Sequence, residues 1–239
     1  MAEPLPPLAL LAGGLATRLL PVTAVIPKSM VEVAGEPFIA HQLRLLSRKG
    51  VSKVVICNGH LGEQIEAYVG DGRQFGCQVQ YSRDAGSPLG TGGAVKRAVT
   101  LLGQQFMVMY GDSYLDAPFR EIHQRFCSSG LPALITIYRN DNRWDDSNIE
   151  AVDGVIQRYS KVQRTSSMSH IDYGIGVFEA SVFEAWPAEV FDLADLYSRL
   201  ADAHSLAAYE VHERFYEIGS PKGLAETNAM LTRALGRRT

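Results

Sequence analysis

A three-layer α/β/α architecture around a mainly parallel sheet, joined to a smaller antiparallel part, is the fold class that this sequence predicts. Three observations predict it. Apolar runs of strand length recur at 8–12, 53–57 and 106–110, each ending in a glycine-bearing turn: Gly13-Gly14, Asn58-Gly59 and Gly111-Asp112. Stretches with helical spacing of apolar residues lie between them, so strands alternate with helices. The second half changes character, to shorter strand-like runs around an Asp153-Gly154 turn.

The first run, Leu8-Ala9-Leu10-Leu11-Ala12, is apolar at every position, as a strand buried on both faces must be. Residues 30–33 read as a short strand. Residues 37–49 read as an amphipathic helix offering Phe38, Leu43, Leu45 and Leu46 to a core, with Gly50 as its stop. A strand at 53–57, a helix at 61–69 closed by Gly70 and a short strand at 79–81 follow. The glycine-rich stretch 87–94 opens a helix running to Leu101, before the strand at 106–110. Further strands are expected at 134–138, 173–178, 206–211 and 214–216, a hairpin from 148–151 and 155–159, and helices at 193–203 and 221–235. No linker or repeat breaks the pattern. The expectation is one domain over 1–239, with halves of about 1–130 and 131–239.

Hydrophobic residues make up 46% of the 239 residues, charged residues 21%, and the net charge is −3. That balance carries no basic field for nucleic acid or an anionic membrane, so any polyanionic ligand must be met by a few placed cations. Cys57, Cys77 and Cys127 are an odd, widely spaced set and read as free thiols of a reducing compartment. No segment approaches membrane-spanning length, and the expected address is cytoplasmic. The histidines show no metal-ligand spacing, and the polar stretch 140–146 lacks the central glycine of a calcium loop.

Chemistry concentrates where the strands end. Glycines after a buried strand let backbone N–H groups approach a phosphate, and Arg18 and Lys28 add fixed positive charge on the same connection. In open parallel sheets ligands sit beyond the carboxyl ends of the strands, so residues 11–17, Asn58 and Gly111 should face one crevice. Asp112 leaves the apolar layer there, suited either to a hard cation such as Mg²⁺ or to a turn. Glu217, in Tyr216-Glu217-Ile218-Gly219-Ser220-Pro221, is a second carboxylate set between a strand and a glycine.

Taken in order, these pieces resemble the sugar-1-phosphate nucleotidyltransferases, also called nucleotide-sugar pyrophosphorylases. The family's opening glycine-rich signature appears as Gly13-Gly14-Leu15-Ala16-Thr17-Arg18-Leu19, followed by Pro27-Lys28, Leu89-Gly90-Thr91-Gly92-Gly93-Ala94, Gly111-Asp112 and Glu217-Ile218-Gly219-Ser220-Pro221. In appearance the chain is nearest to the heptose- and mannose-1-phosphate guanylyltransferase-like members. The resemblance implies the Rossmann-like nucleotide-diphospho-sugar transferase fold and Mg²⁺-dependent transfer from a nucleoside triphosphate to a sugar 1-phosphate. It implies that Leu11, Ala12, Gly13, Gly14, Leu15, Ala16, Thr17, Asn58, Asp84, Gly90, Thr91 and Gly111 contact the nucleotide. Arg18, Lys28 and Asp112 become the catalytic residues, Asp112 and Glu217 the metal ligands. Lys161, Asp172 and Gly174 fall to the sugar phosphate; Glu150 is a second candidate for sugar contact, with a hairpin surface acid as the competing reading, and a homodimer is the default assembly. Asp84 leans the base toward guanine, with a surface-loop role as the competing reading; uridylyl transfer, or a catalytically silent relative that only binds nucleotide sugar, are the alternatives. A dinucleotide oxidoreductase fits worse, because Gly13-Gly14-Leu15-Ala16 does not supply Gly-x-Gly-x-x-Gly.

Two departures stand out. Ala16 occupies a position where the family usually has glycine, and its methyl group is expected to point away from the phosphates. Glu217 replaces the usual Asp and is one methylene longer.

Overall fold

The computed structural model of the chain describes residues 4–14, 25–84, 86–141 and 146–236. Alternation of strand and helix gives β1 (Leu8–Leu11), α1 (Phe38–Arg48) behind the two-residue strands β2 (Glu32–Val33) and β3 (Glu36–Pro37), β4 (Lys53–Asn58), α2 (Gly62–Val69), β5 (Gln78–Arg83), α3 (Gly90–Leu102) and β6 (Gln105–Tyr110). The second half adds β7 (Ser113–Tyr114), α4 (Phe119–Ser129), β8 (Ala133–Arg139), β9 (Ile149–Val152), β10 (Val155–Tyr159) and β11 (His170–Glu179). It ends with α5 (Ala180–Glu184), α6 (Leu193–Asp202), β12 (Leu206–Val211), β13 (Tyr216–Glu217) and α7 (Pro221–Gly236).

Nine strands form one sheet in the order β5-β4-β1-β6-β11-β8-β12-β10-β9. The first four are parallel. β11 enters antiparallel to both β6 and β8, while β8 and β12 are again parallel. Antiparallel pairing thus resides in β11 and in the β9–β10 hairpin, whose Ile149 bends back to pair with His170.

The pleat sorts side chains into two cores. Leu8 and Leu10 face α1, α2 and α4, packing with Ile39, Leu43, Ile65, Phe119 and Ile122. Ala9, Val55 and Val108 face the other layer, against Val95 and Val99 of α3, Phe183 of α5 and Leu196 of α6. The three-layer α/β/α arrangement follows directly. A satellite cluster of Val33, Phe38, Leu45, Ile218 and Leu231 docks α7 beside α1.

Some elements differ from expectation. The strand expected at 30–33 shrinks to Glu32–Val33, because Lys28–Met30 form a 3₁₀ turn closed by the Val31 N–H on Lys28 O. The strand expected at 214–216 is Tyr216–Glu217, fixed by pairing with β7. Helix α4 was not anticipated, although Phe119, Ile122 and Phe126 repeat at helical spacing and are buried.

Candidate active site

Parallel register brings the strand ends together: Leu11 pairs with Cys57 on one side and Tyr110 on the other. The Ala12 N–H donates to Cys57 O and the Gly111 N–H to Leu11 O, at 2.8 and 2.9 Å. Gly111 has no room for a side chain, since a Cβ there would sit 2.4 Å from Leu11 O. Backbone therefore packs on backbone at the carboxyl edge of the sheet, leaving residues 12–14 as a peptide-walled rim.

A cavity of about 370 Å³ opens beyond that rim. Leu11, Ala12, Gly13, Gly14, Lys28, Gly111 and Asp112 line it at the strand ends, with Asp84 Oδ2 3.7 Å from a Cβ built on Gly13. Pro88, Gly90, Thr91 and Ala94 line it from the stretch that opens α3. The α3 glycines serve packing. A Cβ on Gly90 would lie 2.4 Å from Phe191 O, and one on Gly92 2.2 Å from the Phe191 ring. The Thr91 N–H is bonded to Asp192, and those of Gly92 and Gly93 to Phe191 O. Three of the first N–H groups of this helix are thus occupied, unlike those of the free N-terminus that ordinarily attracts anions.

A second cavity, about 540 Å³, shares Tyr110 and Asp112 with the first. Its wall includes Asn148, Tyr159, Lys161, Asp172, Gly174, Arg214 and Glu217. Asp172 and Gly174 are presented by a bulge: residues 173–175 of β11 stand opposite the single residue Thr136 of β8. The Thr136 hydroxyl fills the gap, donating to Ile175 O at 2.9 Å and accepting the Ile175 N–H at 3.1 Å. Gly174 adopts φ +109, a backbone conformation disfavoured for residues with a side chain, and its N–H holds Asp172 Oδ1 at 2.9 Å. Burial pushes the Asp172 carboxyl up to about 6, against the opposing pull of that N–H, Lys161 and Tyr110.

At the junction, Lys28 Nζ lies 2.6 Å from Asp112 Oδ2. Pairing of β13 with β7 sets Glu217 opposite Ser113, and the Ile218 N–H bonds Asp112 O at 2.9 Å. Glu217 accepts the Ser220 hydroxyl at 2.7 Å and the Gly219 N–H. A carbon built on Gly219 would meet Glu217 Oε2 at 2.7 Å, Lys28 Nζ at 2.8 Å and Asp112 Oδ2 at 3.4 Å, so the three groups converge on one point. Two hard carboxylates beside an open cavity suit Mg²⁺-like cations, which take one or two protein carboxylates and complete their shell from phosphate and water. Among the described residues no group of three or more His, Cys, Asp or Glu could hold a metal by itself.

The remaining candidates fall elsewhere. Leu15, Ala16, Thr17 and Arg18 lie outside the described residues, and with them the expected direction of the Ala16 methyl. Asn58 lines neither cavity: its buried amide donates to Gly62 O and to Glu66 Oε1, closing the turn into α2. Glu150 is likewise outside both linings and accepts the Ser167 hydroxyl at 2.6 Å. Asp84 lines the first cavity, with its pKa raised by burial and held back by the Leu89 N–H and Arg97. Beside it, burial and the Asp84 charge push the Cys57 thiol up to about 12, so this thiol is inert.

Two residues escaped sequence reasoning. Gln42 is fully buried and its amide donates to Tyr110 O and Ser113 O, clamping the turn that carries Asp112. Its signal was a polar residue set within the apolar face of α1. Asp192 lines the first cavity from the far half of the chain, where no local motif marks it.

This architecture, with two cavities meeting at a Lys–Asp junction beyond the strand ends, is that of a nucleotide-diphospho-sugar transferase fold. A family profile matches residues 9–233, and the chain belongs to the nucleotidyl transferase family. It is 27% identical over 93% of its length to the low-salt glycan biosynthesis nucleotidyltransferase of Haloferax volcanii, covering 65% of that protein. It is 27% identical over 89% of its length to the mannose-1-phosphate guanylyltransferase catalytic subunit beta of Drosophila melanogaster, covering 59% of it. A 130-residue stretch, 54% of the chain, is 37% identical to the N-acetylmuramate alpha-1-phosphate uridylyltransferase of Neisseria meningitidis and covers 55% of that enzyme. The chain thus spans less than two thirds of the length of these curated relatives. Among solved structures, a putative glucose-1-phosphate thymidylyltransferase from Bacillus anthracis superposes with a TM-score of 0.83 at 21% identity, over 94% of each chain. HddC from Yersinia pseudotuberculosis, complexed with GMP-PN, gives 0.79 at 23% identity over 95% of this chain and all of that one. At these identities the two structures bear on the fold alone.

Proposed function

We propose that this chain transfers a nucleotidyl group from a nucleoside triphosphate to a sugar 1-phosphate, releasing pyrophosphate and forming a nucleotide sugar. The observation that carries this reading is the junction: two cavities of ligand size share Tyr110 and Asp112, and Lys28, which lines the first, is paired with Asp112. A reaction that joins two phosphates needs that plan, with each substrate in its own cavity and the reacting phosphates meeting where the cavities touch.

The occupied donors at the start of α3 orient the first substrate. Phosphates gain less there, so the triphosphate lies along residues 12–14 toward Lys28, and the base faces Asp84 and the Pro88–Ala94 wall. The sugar occupies the second cavity, with its hydroxyls donating to Asp172 and its phosphate near Lys161. A sugar phosphate oxygen attacks the α-phosphorus in line, and the α–β bridging oxygen leaves with pyrophosphate. Lys28 neutralises charge that builds on the α-phosphate, and Arg18 is assigned the same task on the departing side. Asp112 and Glu217 would hold a divalent cation, Mg²⁺ by the chemistry of the donors, which would supply further charge neutralisation there.

The finer assignment is GTP with a heptose- or mannose-type sugar. A carboxylate at Asp84 can accept from guanine N1–H and N2–H₂, whereas uracil presents one such donor. Uridylyl transfer remains the second reading, favoured by the relative matched at 37% identity. The proposed setting is the cytoplasm, with a homodimer as the proposed assembly. A matrix of GTP, UTP, dTTP, ATP and CTP against mannose, glucose, N-acetylated and heptose 1-phosphates, read by pyrophosphate release, tests all of it. Turnover with GTP above the others supports the guanine assignment, and UTP preference reverses it. Tight nucleotide-sugar binding without forward or reverse reaction makes the protein a silent relative.

A further inference from the structure

Segment 186–192, just ahead of α6, is strapped to the first two turns of α3. Lys96 Nζ bonds Trp186 O at 2.9 Å and Ala188 O at 3.3 Å, and pairs with Glu189 at 2.6 Å. Trp186 stacks on Phe191 with ring centroids 4.9 Å apart. The Phe191 N–H donates to Leu89 O, and Phe191 O receives the N–H groups of Gly92 and Gly93.

The strap ends in an exchange of helix caps. Asp192 Oδ1 accepts both the N–H and the hydroxyl of Thr91, at 3.2 and 3.1 Å. Thr91 Oγ1 in turn accepts the N–H of Leu193, the first residue of α6, at 2.9 Å. Each residue thus satisfies a donor at the other helix's start, where four N–H groups otherwise have no partner within the helix. Asp192 also closes a capping box with Asp195 on its own helix. Both Asp192 and Thr91 line the cavity assigned to the nucleotide.

We propose that Asp192 is a positioning residue for the nucleoside triphosphate, acting through Thr91. This rests on the reading that the first cavity holds the nucleotide. Asp192 fixes the Leu89–Thr91 turn as the base-side wall. It also puts a carboxylate at the end where phosphates must not bind, and occupies the Thr91 N–H there. The triphosphate is thereby left one favourable polarity, with phosphates toward Lys28. Removing the carboxylate frees the Thr91 N–H, loosens the wall and opens a competing anion subsite at the helix start.

The test is steady-state kinetics on the full chain with its best substrate pair. Asp192→Ala should raise KM for the triphosphate about tenfold, move kcat less than about threefold and leave the sugar 1-phosphate KM within about twofold. Asp192→Asn, which keeps an acceptor oxygen for Thr91, should recover most of the loss. Thr91→Val, nearly the same size and insulated from any folding defect of the Asp192 variants, should reproduce it. The double variant should be little worse than either single one, because the pair acts as a unit. Asp195→Ala weakens the same α6 cap without touching Thr91 and should leave the triphosphate KM unchanged. A triphosphate KM unmoved in Asp192→Ala and Thr91→Val overturns the proposal. So does an equal rise in Asp195→Ala, which would mark the effect as helix stability alone. Wild-type protein that binds no triphosphate by calorimetry would instead remove the parent reading, and this one with it.

Discussion

The two cavities are built from different materials. The first cavity, to which the nucleotide is assigned in the proposed function, is lined by strand ends, the glycine-bearing backbone rim at 12–14 and a helix start pressed against Phe191. The sugar-side cavity is walled by side chains, Lys161, Asp172, Tyr159, Arg214 and Glu217, drawn from a bulged strand, a hairpin and the loop before α7. Under the proposed function, a glycine-bearing rim suits the ligand part that never changes, the triphosphate. A side-chain wall can be re-read by single substitutions, as befits a sugar that varies across a family.

Substitutions should separate the two constructions, the largest effect falling where they meet. Lys28→Ala and Asp112→Ala each remove a charge at the junction, one that both substrates share under the proposed function. Either should lower kcat by about 10²–10³-fold or more while the protein keeps its far-UV circular dichroism; rates near wild type in either variant would refute the junction. On the backbone side, Gly111→Ala forces a methyl to within 2.4 Å of Leu11 O. It should destabilise the fold by about 1–3 kcal/mol in denaturant titration and weaken triphosphate binding more than sugar binding. On the side-chain side, Thr136→Val leaves the Ile175 N–H and C=O without their partner inside the bulge. The expected loss is about 1–2 kcal/mol, with the sugar 1-phosphate KM rising and the triphosphate KM held. If the two KM values move together in both variants, the cavities are not independent.

Legibility in the sequence followed the same division. The backbone-walled cavity was readable because glycine after an apolar run has few other uses, and Gly13, Gly14 and Gly111 do lie at the strand ends. The bulge was not readable. Asp172-Tyr173-Gly174 was visible as a motif, but Thr136, which lets β11 carry extra residues, sits 39 positions from Ile175 and looks like any strand threonine. Asp192 was hidden for the same reason, 101 residues from Thr91. Asn58 follows a core strand as site residues do; its amide nitrogen is bonded in the turn into α2, while among the described residues its buried Oδ1 has no hydrogen-bond partner. Helix α4 was simply passed over, since its apolar spacing was present.

The smallest effect is a pH signature confined to the side-chain wall. Burial lifts the Asp172 carboxyl to about 6 in the folded protein, whereas an exposed Asp titrates near about 3.9. Between those values the unfolded chain has released its proton and the native chain still holds it, so this group makes stability fall as pH rises from about 4 to about 6. Asp172→Asn should lose that slope, seen as a flatter midpoint-versus-pH curve in urea. The same proton affects binding, because only the ionised carboxylate accepts from sugar hydroxyls at both oxygens. The wild-type sugar 1-phosphate KM should therefore rise by up to about tenfold per pH unit below 6, the limit for one proton. The substrate's phosphate also titrates near pH 6, but that contribution is common to both proteins and cancels in the ratio of variant to wild type. A ratio that stays constant from pH 5 to pH 7 would take Asp172 out of sugar recognition. A ratio that changes only in the triphosphate KM would move it to the other cavity.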